Sequence, residues 1–204
     1  MKDAELAFYG QYVPDIEKTR FLLIAHLENL ITKIDSDELI AEHMKSRVKK
    51  VDSACEKLEK AGLPTTPESA LANLSDVIGI RIVTRFIGDI YTLLDAIEND
   101  EELNVVGIED YIAAPKESGY RSLHVTVEAE APHIPSGKVL AEIQLRTIAM
   151  DCWASLEHQL KYKKQVKRSE LIAGELRRCA DEMASIDLTL QTIRDLLARE
   201  DGDE

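Results

Sequence analysis

The residues best equipped for chemistry fall between Asp110 and Arg146, in the stretch DYIAAPKESGYRSLHVTVEAEAPHIPSGKVLAEIQLR. As strands, RSLHVTVE and KVLAEIQLR would each send alternate side chains to opposite faces. One face takes Leu123, Val125 and Val127 with Val139, Ala141, Ile143 and Leu145. The other takes Ser122, His124, Thr126 and Glu128 with Glu142, Gln144 and Arg146. If the strands pair, an imidazole, a carboxylate, an amide and a guanidinium crowd together, which suits a site better than a plain solvated surface. The commonplace alternative is the wet face of an antiparallel sheet. The loop just upstream tips the balance, because Lys116, Gly119, Tyr120 and Arg121 supply a hinge, two cations and an aromatic ring. Such a loop can lay a ring on a nucleobase and cations on its phosphates.

A second carboxylate, Asp76, opens the run DVIGIRIVTRF. Asp76 and Glu142, if brought together, can hold a magnesium ion, which takes oxygen ligands and commonly bridges carboxylates and phosphates. One of the two can instead accept a proton from an attacking hydroxyl. Arg81, Arg85 and Arg146 are available to neutralise a transferring phosphoryl group. Strict alternation puts Asp76 on the side of Ile78, Ile80 and Ile82, opposite Arg81, so it must precede the regular strand or sit beside a bulge. The densest basic cluster lies in MKSRVKKVDSACEKLEKAGLP, with Arg47, Lys49, Ser53 and Lys57. On a helix, Lys49, Ser53 and Lys57 would share one face. Two ammonium groups and a hydroxyl there could hold a triphosphate. Taken alone, the stripe reads first as an ordinary solvated lysine face.

Other chemistries fit poorly. There is no G-x-x-x-x-G-K-[ST] loop, no G-x-G-x-x-G around Gly79 and no G-x-S-x-G elbow. His26, His43, His124, His133 and His158 show neither H-E-x-x-H spacing nor a His-Asp pair. The usual zinc or two-metal hydrolase pattern is therefore absent. A net charge of −13 over 204 residues argues against duplex nucleic acid as a partner. It leaves room for a small phosphorylated substrate, for which a local cation cluster suffices. Cys55, Cys152 and Cys179 lack C-x-x-C spacing and read as reduced, structural thiols of a cytoplasmic protein. No apolar stretch is long enough to span a membrane, and no signal segment opens the chain.

The elements that must position these groups follow from periodicity. Asp15–Asp35 reads as a helix with Ile16, Leu23, Ala25, Leu27, Leu30 and Ile31 on its stripe, widened by Phe21 and Leu22. His26 within it reads as a satisfied core or interface histidine. A second helical run is expected after Ser36, with the basic segment continuing as a helix until Gly62 and Pro64 stop it. Asp76–Phe86 reads as a central strand, Gly88–Asp100 as a helix, and Asn104–Tyr111 as a further strand. Thr147–Tyr162 reads as a helix with Ile148, Trp153, Leu156 and Leu160 near one face. Arg168–Glu200 reads as a long helix with Leu171, Leu176, Ala180, Met183, Ile186, Leu190, Ile193 and Leu197 as its stripe. That stripe must bury itself on its own domain or on a partner subunit. Strands interleaved with helices, and helical flanks at both ends, make an α+β or mixed α/β domain.

SGYRSLH at 118–124 and EIQLRTIAMDCWASLEHQLKYK at 142–163 closely resemble the RelA/SpoT-type alarmone synthetases, in particular the short class called small alarmone synthetases. SRVKKVDSACEKL at 46–58 is similar to that family's ATP-side motif, and DVIGIRIV at 76–83 to its metal-binding strand. The resemblance spans roughly residue 42 to the C-terminus. It implies a nucleotidyltransferase-like fold, a mixed β-sheet flanked by helices, with helical N- and C-terminal extensions: residues 1–41, a synthetase core over 42–165, and residues 166–204. It implies transfer of the β,γ-pyrophosphate of ATP to the ribose 3′-hydroxyl of GDP or GTP, making (p)ppGpp and AMP. Carried over, Arg47, Lys49, Ser53, Lys57, Arg81 and Arg146 would hold ATP. Asp76 and Glu142 would serve Mg2+ and hydroxyl activation. Tyr120 would stack on guanine, Lys116 and His124 would contact the acceptor's phosphates, Gln144 would line the same pocket, and Glu157 would help read the base.

Two positions depart from the family pattern. Ala114 and Ser118 stand where asparagines are common, which could shift the acceptor preference. The resemblance further implies a homo-oligomer, with a homotetramer favoured. Lys18, Arg20 and Lys33 are few cations for a regulatory alarmone cleft, which argues against activation by product. The missing His-Asp pair and the chain length imply synthesis without hydrolysis. Two rival functions are pyrophosphorylation of a tRNA 3′ end, for which the basic run Lys161–Arg168 could touch RNA, and a non-catalytic module binding guanine nucleotide or RNA.

Overall fold

A computed structural model describes residues 3–34, 39–162 and 169–201. The elements run α1 (Asp3–Tyr9), a 3-10 turn at Gly10–Tyr12, α2 (Val13–Ile34), β1 (Ala41–Val48), α3 (Val51–Lys60), α4 (Pro67–Asn73) and β2 (Ile78–Thr84). Then come α5 (Ile87–Glu98), β3 (Asn104–Asp110), β4 (Leu123–Glu130), β5 (Lys138–Thr147), α6 (Ile148–Tyr162) and α7 (Ser169–Asp201). The strands form one mixed sheet in the order β1-β2-β5-β4-β3. Only β2 and β5 pair in parallel, and the other three neighbouring pairs are antiparallel.

Register turns the alternation of each strand into two chemically distinct faces. Ile78, Ile80 and Ile82 lie opposite Ala141, Ile143 and Leu145, which in turn oppose Val127, Val125 and Leu123. All nine are essentially inaccessible. They join Ile16 and Leu27 of α2, Leu58 of α3, and Ile90, Leu93 and Ile97 of α5 in a single core. The opposite face carries two polar rows. One runs Arg47, Gly79, Glu142, Thr126; the next runs Lys45, Arg81, Gln144, His124. A slip of one residue in any of these strands would bury the polar row, so burial of the isoleucine face fixes the site's register.

Several expectations are corrected. Residues 41–48 form an edge strand, not a helix, and the helix begins only at Val51. Lys49 therefore lies outside the helix that carries Ser53 and Lys57, so the three do not share one helical stripe. Pairing with β2 overrides the helix-favouring composition of AEHMKSRV, as tertiary context routinely does. Phe21 and Leu22 are exposed and do not extend the buried stripe of α2. On α6, Trp153 and Met150 are buried while Ile148, Leu156 and Leu160 are about half exposed. On α7, Ala180 is buried, whereas Ile186, Leu190, Ile193 and Leu197 stay largely exposed. Other expectations hold. His26 is satisfied by Asp100 at 3.0 Å, and Asp76 precedes the regular part of β2. The expected helical run after Ser36 begins in residues 35–38, and most of the basic run Lys161–Arg168 is residues 163–168; both stretches lie outside the described residues.

Candidate active site

Gly79 sits between Arg47 and Glu142 in its row and contributes no side chain. The sheet floor is therefore open there, and a cleft of about 210 Å³ is lined by Arg47, Asp76, Gly79, Arg81, Glu142 and Gln144, among others. Asp76 and Glu142, 66 residues apart in sequence, thus face one cavity. The connection from β1 to α3 brings in the lysines. Lys49 N donates to Val77 O at 2.8 Å, and Tyr9 Oη donates to Lys49 O at 3.1 Å. The Lys49 ammonium then donates to Asp76 Oδ2, and Lys57 Nζ donates to Asp76 Oδ1 at 3.0 Å. Burial pushes the Asp76 carboxyl upward, but these two lysines outweigh it and hold it below the ordinary carboxylate value. Burial also raises Glu142, yet the hydrogen bond and charge of His124, the Gln144 amide and the charge of Lys57 bring it down to about 2. Both carboxylates are ionised at neutral pH, and Lys57 acts on each.

Beside the cleft, β4 and its preceding loop build an aromatic wall. Tyr120 Oη lies 2.8 Å from His124 Nε2 and accepts from Arg146 Nη2 at 2.7 Å. Tyr111 meets both the Tyr120 and the His124 ring edge-on. The Lys116 ammonium stands 4.1 Å over the Tyr111 ring and 5.4 Å from the centre of Tyr120. Tyr111 is pushed up to about 12, first by its hydrogen bond to Glu109. On the other strand, Gln144 Nε2 donates to Glu142 Oε1 at 2.5 Å, and Gln144 Oε1 accepts from Arg146 Nη2 at 2.9 Å. His124 Nδ1 lies 3.5 Å from Glu142 Oε2. An unbroken polar chain thus links the ring loop to the carboxylate on the cleft floor.

The structure gathers Arg47, Lys49, Lys57, Asp76, Arg81, Glu142, Gln144 and Arg146 along one face of the sheet, with Lys116, Tyr120 and His124 alongside. Ser53 is exposed on α3. Arg85 pairs with Glu42 at 3.1 Å and is not among the cleft residues. Glu157 lines a separate pocket with Glu117, Ser118 and α7 residues including Arg177. Three contributors were missed from sequence. Lys45 shares a row with Arg81 once 41–48 is a strand. Tyr111 closes the aromatic wall, and its place four residues before Pro115-Lys116 was the available signal. Asp151 accepts from Arg146 and pairs ionically with Arg81, and nothing in the linear pattern pointed to it.

A mixed five-stranded sheet with a cation-lined cleft and two ionised carboxylates on its open face defines a nucleotidyltransferase-like protein. Residues 46–167 match the family model described as the region found in RelA / SpoT proteins. The chain is 38% identical over 178 residues to GTP pyrophosphokinase YwaC of Bacillus subtilis (strain 168), covering 87% of this chain and 82% of that one. It is 35% identical over 161 residues to GTP pyrophosphokinase YjbM of the same strain, covering 78% and 75%. The crystal structure of small alarmone synthetase 1 from Bacillus subtilis bound to its product pppGpp superposes with a TM-score of 0.79 at 32% identity, covering 90% of this chain and 95% of that chain. The same synthetase bound to AMPCPP gives a TM-score of 0.73 at 28% identity, covering 91% and 95%. The chain belongs to the RelA/SpoT family and, within it, to the small alarmone synthetases.

Proposed function

We propose that this chain is a GTP/GDP pyrophosphokinase that moves the β,γ-pyrophosphate of ATP onto the ribose 3′-hydroxyl of GDP or GTP. The acceptor 3′-oxygen bonds to the β-phosphorus, the bond to the α,β-bridging oxygen breaks, and AMP leaves, so (p)ppGpp and AMP form. The observation that carries this reading is the shared cleft, whose lining brings Asp76 and Glu142 together with Arg47 and Arg81. Arg47, Arg81 and the Lys49–Lys57 pair offer charge-assisted donors to a triphosphate. Ser53 stands on the same helix as Lys57 and could add a hydroxyl. The Lys116–Tyr120 loop offers a ring and a cation to a guanine nucleotide, and His124 and Gln144 extend that surface toward Glu142.

Glu142, ionised and held by His124 and Gln144, accepts the proton of the 3′-hydroxyl as the new P–O bond forms. Arg81 and Arg146 stabilise charge developing on the transferred group. Two carboxylates in one cleft also suit Mg2+, which usually keeps waters and substrate phosphate oxygens as its remaining ligands. The described residues hold no cluster of three or more His, Cys, Asp or Glu positioned for a metal, which fits an ion completed by substrate. Asp76 and Glu142 would hold it, and it would supply charge neutralisation on the phosphates. The exposed apolar residues of α7 support a homo-oligomer, with a tetramer expected. No helix of the described residues is long and apolar enough to cross a membrane, in keeping with a cytoplasmic enzyme.

The test is product identification by mass spectrometry after incubation with ATP, Mg2+ and, separately, GMP, GDP, GTP or tRNA. AMP with ppGpp from GDP, or pppGpp from GTP, is expected, and Glu142→Gln should slow formation by about 10²–10⁴-fold. Modification of tRNA without alarmone, or nucleotide binding without AMP, would contradict the reading.

A further inference from the structure

We propose that Asp151 is a positioning residue for the transfer, fixing the guanidinium groups of Arg81 and Arg146 at the separation and orientation the reacting phosphates need. The inference rests on the pyrophosphokinase reading of the cleft. One oxygen, Asp151 Oδ1, serves both arginines: it accepts from Arg146 Nη1 at 3.1 Å and forms an ion pair with Arg81 Nη1 at 3.0 Å. Two like charges this close repel, and the Arg146 charge, second only to burial, pulls Arg81 below the ordinary guanidinium value. A single carboxylate between them is what allows the pair to sit together.

The carboxylate is itself held rigidly. Asp151 lies in the first turn of α6, where the helix dipole favours an acid. That turn is pinned by Thr147 Oγ1, which accepts from Met150 N at 3.2 Å and donates to Asp187 Oδ2 of α7 at 2.6 Å. The side chain of Asp151 is 17% exposed, so solvent offers little competition for its oxygens.

What the two arginines do with their other donors shows the consequence. Arg146 spends Nη2 on Tyr120 Oη and Gln144 Oε1, reaching the acceptor-side wall. Arg81 lines the cleft, and its buried Nε has no hydrogen-bond partner among the described residues. A buried unpaired donor is costly, so it is suited to meet an oxygen brought by a ligand. Asp151 thereby joins a donor-side cation to the acceptor-side ring through one oxygen atom. It also places a negative charge near the polyphosphate, which cannot help ground-state binding. Its benefit must lie in geometry reached during transfer.

The experiment measures kcat and KM for ATP at saturating GDP for Asp151→Asn, Asp151→Glu, Arg81→Gln and the Arg81→Gln/Asp151→Asn double variant. Asp151→Asn should lower kcat roughly 10- to 100-fold, the scale of a small misplacement of catalytic groups, with KM for ATP no higher than in the unmodified chain. Asp151→Glu should recover part of the loss. With Arg81 already replaced, Asp151→Asn should cost a clearly smaller factor, because the two act as one unit. Unchanged kcat, a proportional rise in KM, or the same loss in both backgrounds (the signature of a damaged fold) overturns the proposal. An unmodified chain that forms no AMP overturns the pyrophosphokinase reading together with it.

Discussion

Glu142 is pulled in two directions, and the balance has a measurable sign. Burial favours its neutral form, while His124, Gln144 and Lys57 favour the ion strongly enough to bring it from the ordinary 4.5 to about 2. Between those values the unfolded chain binds the proton and the folded chain does not, so stability rises with pH across this window and the contribution is complete above it. In Glu142→Gln this dependence disappears. The stability gap between the two proteins, from urea unfolding, should be larger at about pH 6.5 than at about pH 3. A gap independent of pH would show that the carboxylate is not held as the structure places it. At this scale much of the site was legible. His124, Glu142, Gln144 and Arg146 declare themselves by alternation, since a strand buries only one row. Asp151 did not, because its role depends on the first turn of α6 folding back over the strand that carries Arg146.

Among the elements, β4 and β5 were readable for the same reason, and β1 was not. AEHMKSRV carries strong helix formers and one β-branched residue, and it becomes a strand only because β2 offers an edge to pair with. That misreading moved Lys49 onto a helix face, whereas the bend between β1 and α3 is what points it at Asp76. Helix α7 plays a part that sequence could not show. It packs on the Tyr120 loop, where Arg121 Nη2 donates to Asp181 Oδ1 at 2.9 Å, and on α6, where Trp153 Nε1 donates to Leu176 O at 2.9 Å. Gly119, with φ of +87°, is the contact point, where a Cβ would lie 2.7 Å from Ala180 Cβ. Gly119→Ala should cost about 1–3 kcal/mol of stability from backbone strain and the clash. It should raise KM for the guanine nucleotide while leaving KM for ATP nearly unchanged, as steady-state kinetics with each substrate varied would show. Equal effects on both KM values would mean that the loop does not belong to the acceptor.

For the whole molecule, the question is how a chain of net charge −13 handles two polyphosphates. It does so by concentration: Lys45, Arg47, Lys49, Lys57, Arg81 and Arg146 come from β1, the β1–α3 connection, α3, β2 and β5 to one face of the sheet. A net acidic chain is a poor match for long nucleic acid, whereas the cleft gathers cations locally. Asp76, Glu142 and the Tyr120 ring are proposed to serve one site for a pair of nucleotides. A crystal structure of the complex with AMPCPP, Mg2+ and GDP tests this most directly. It should place the acceptor's 3′-oxygen about 2.6–3.2 Å from a Glu142 carboxylate oxygen, with guanine on the Tyr120 ring and the triphosphate against Arg47 and Arg81. A 3′-oxygen beyond hydrogen-bond reach of Glu142, with the guanine seated away from Tyr120, would contradict it.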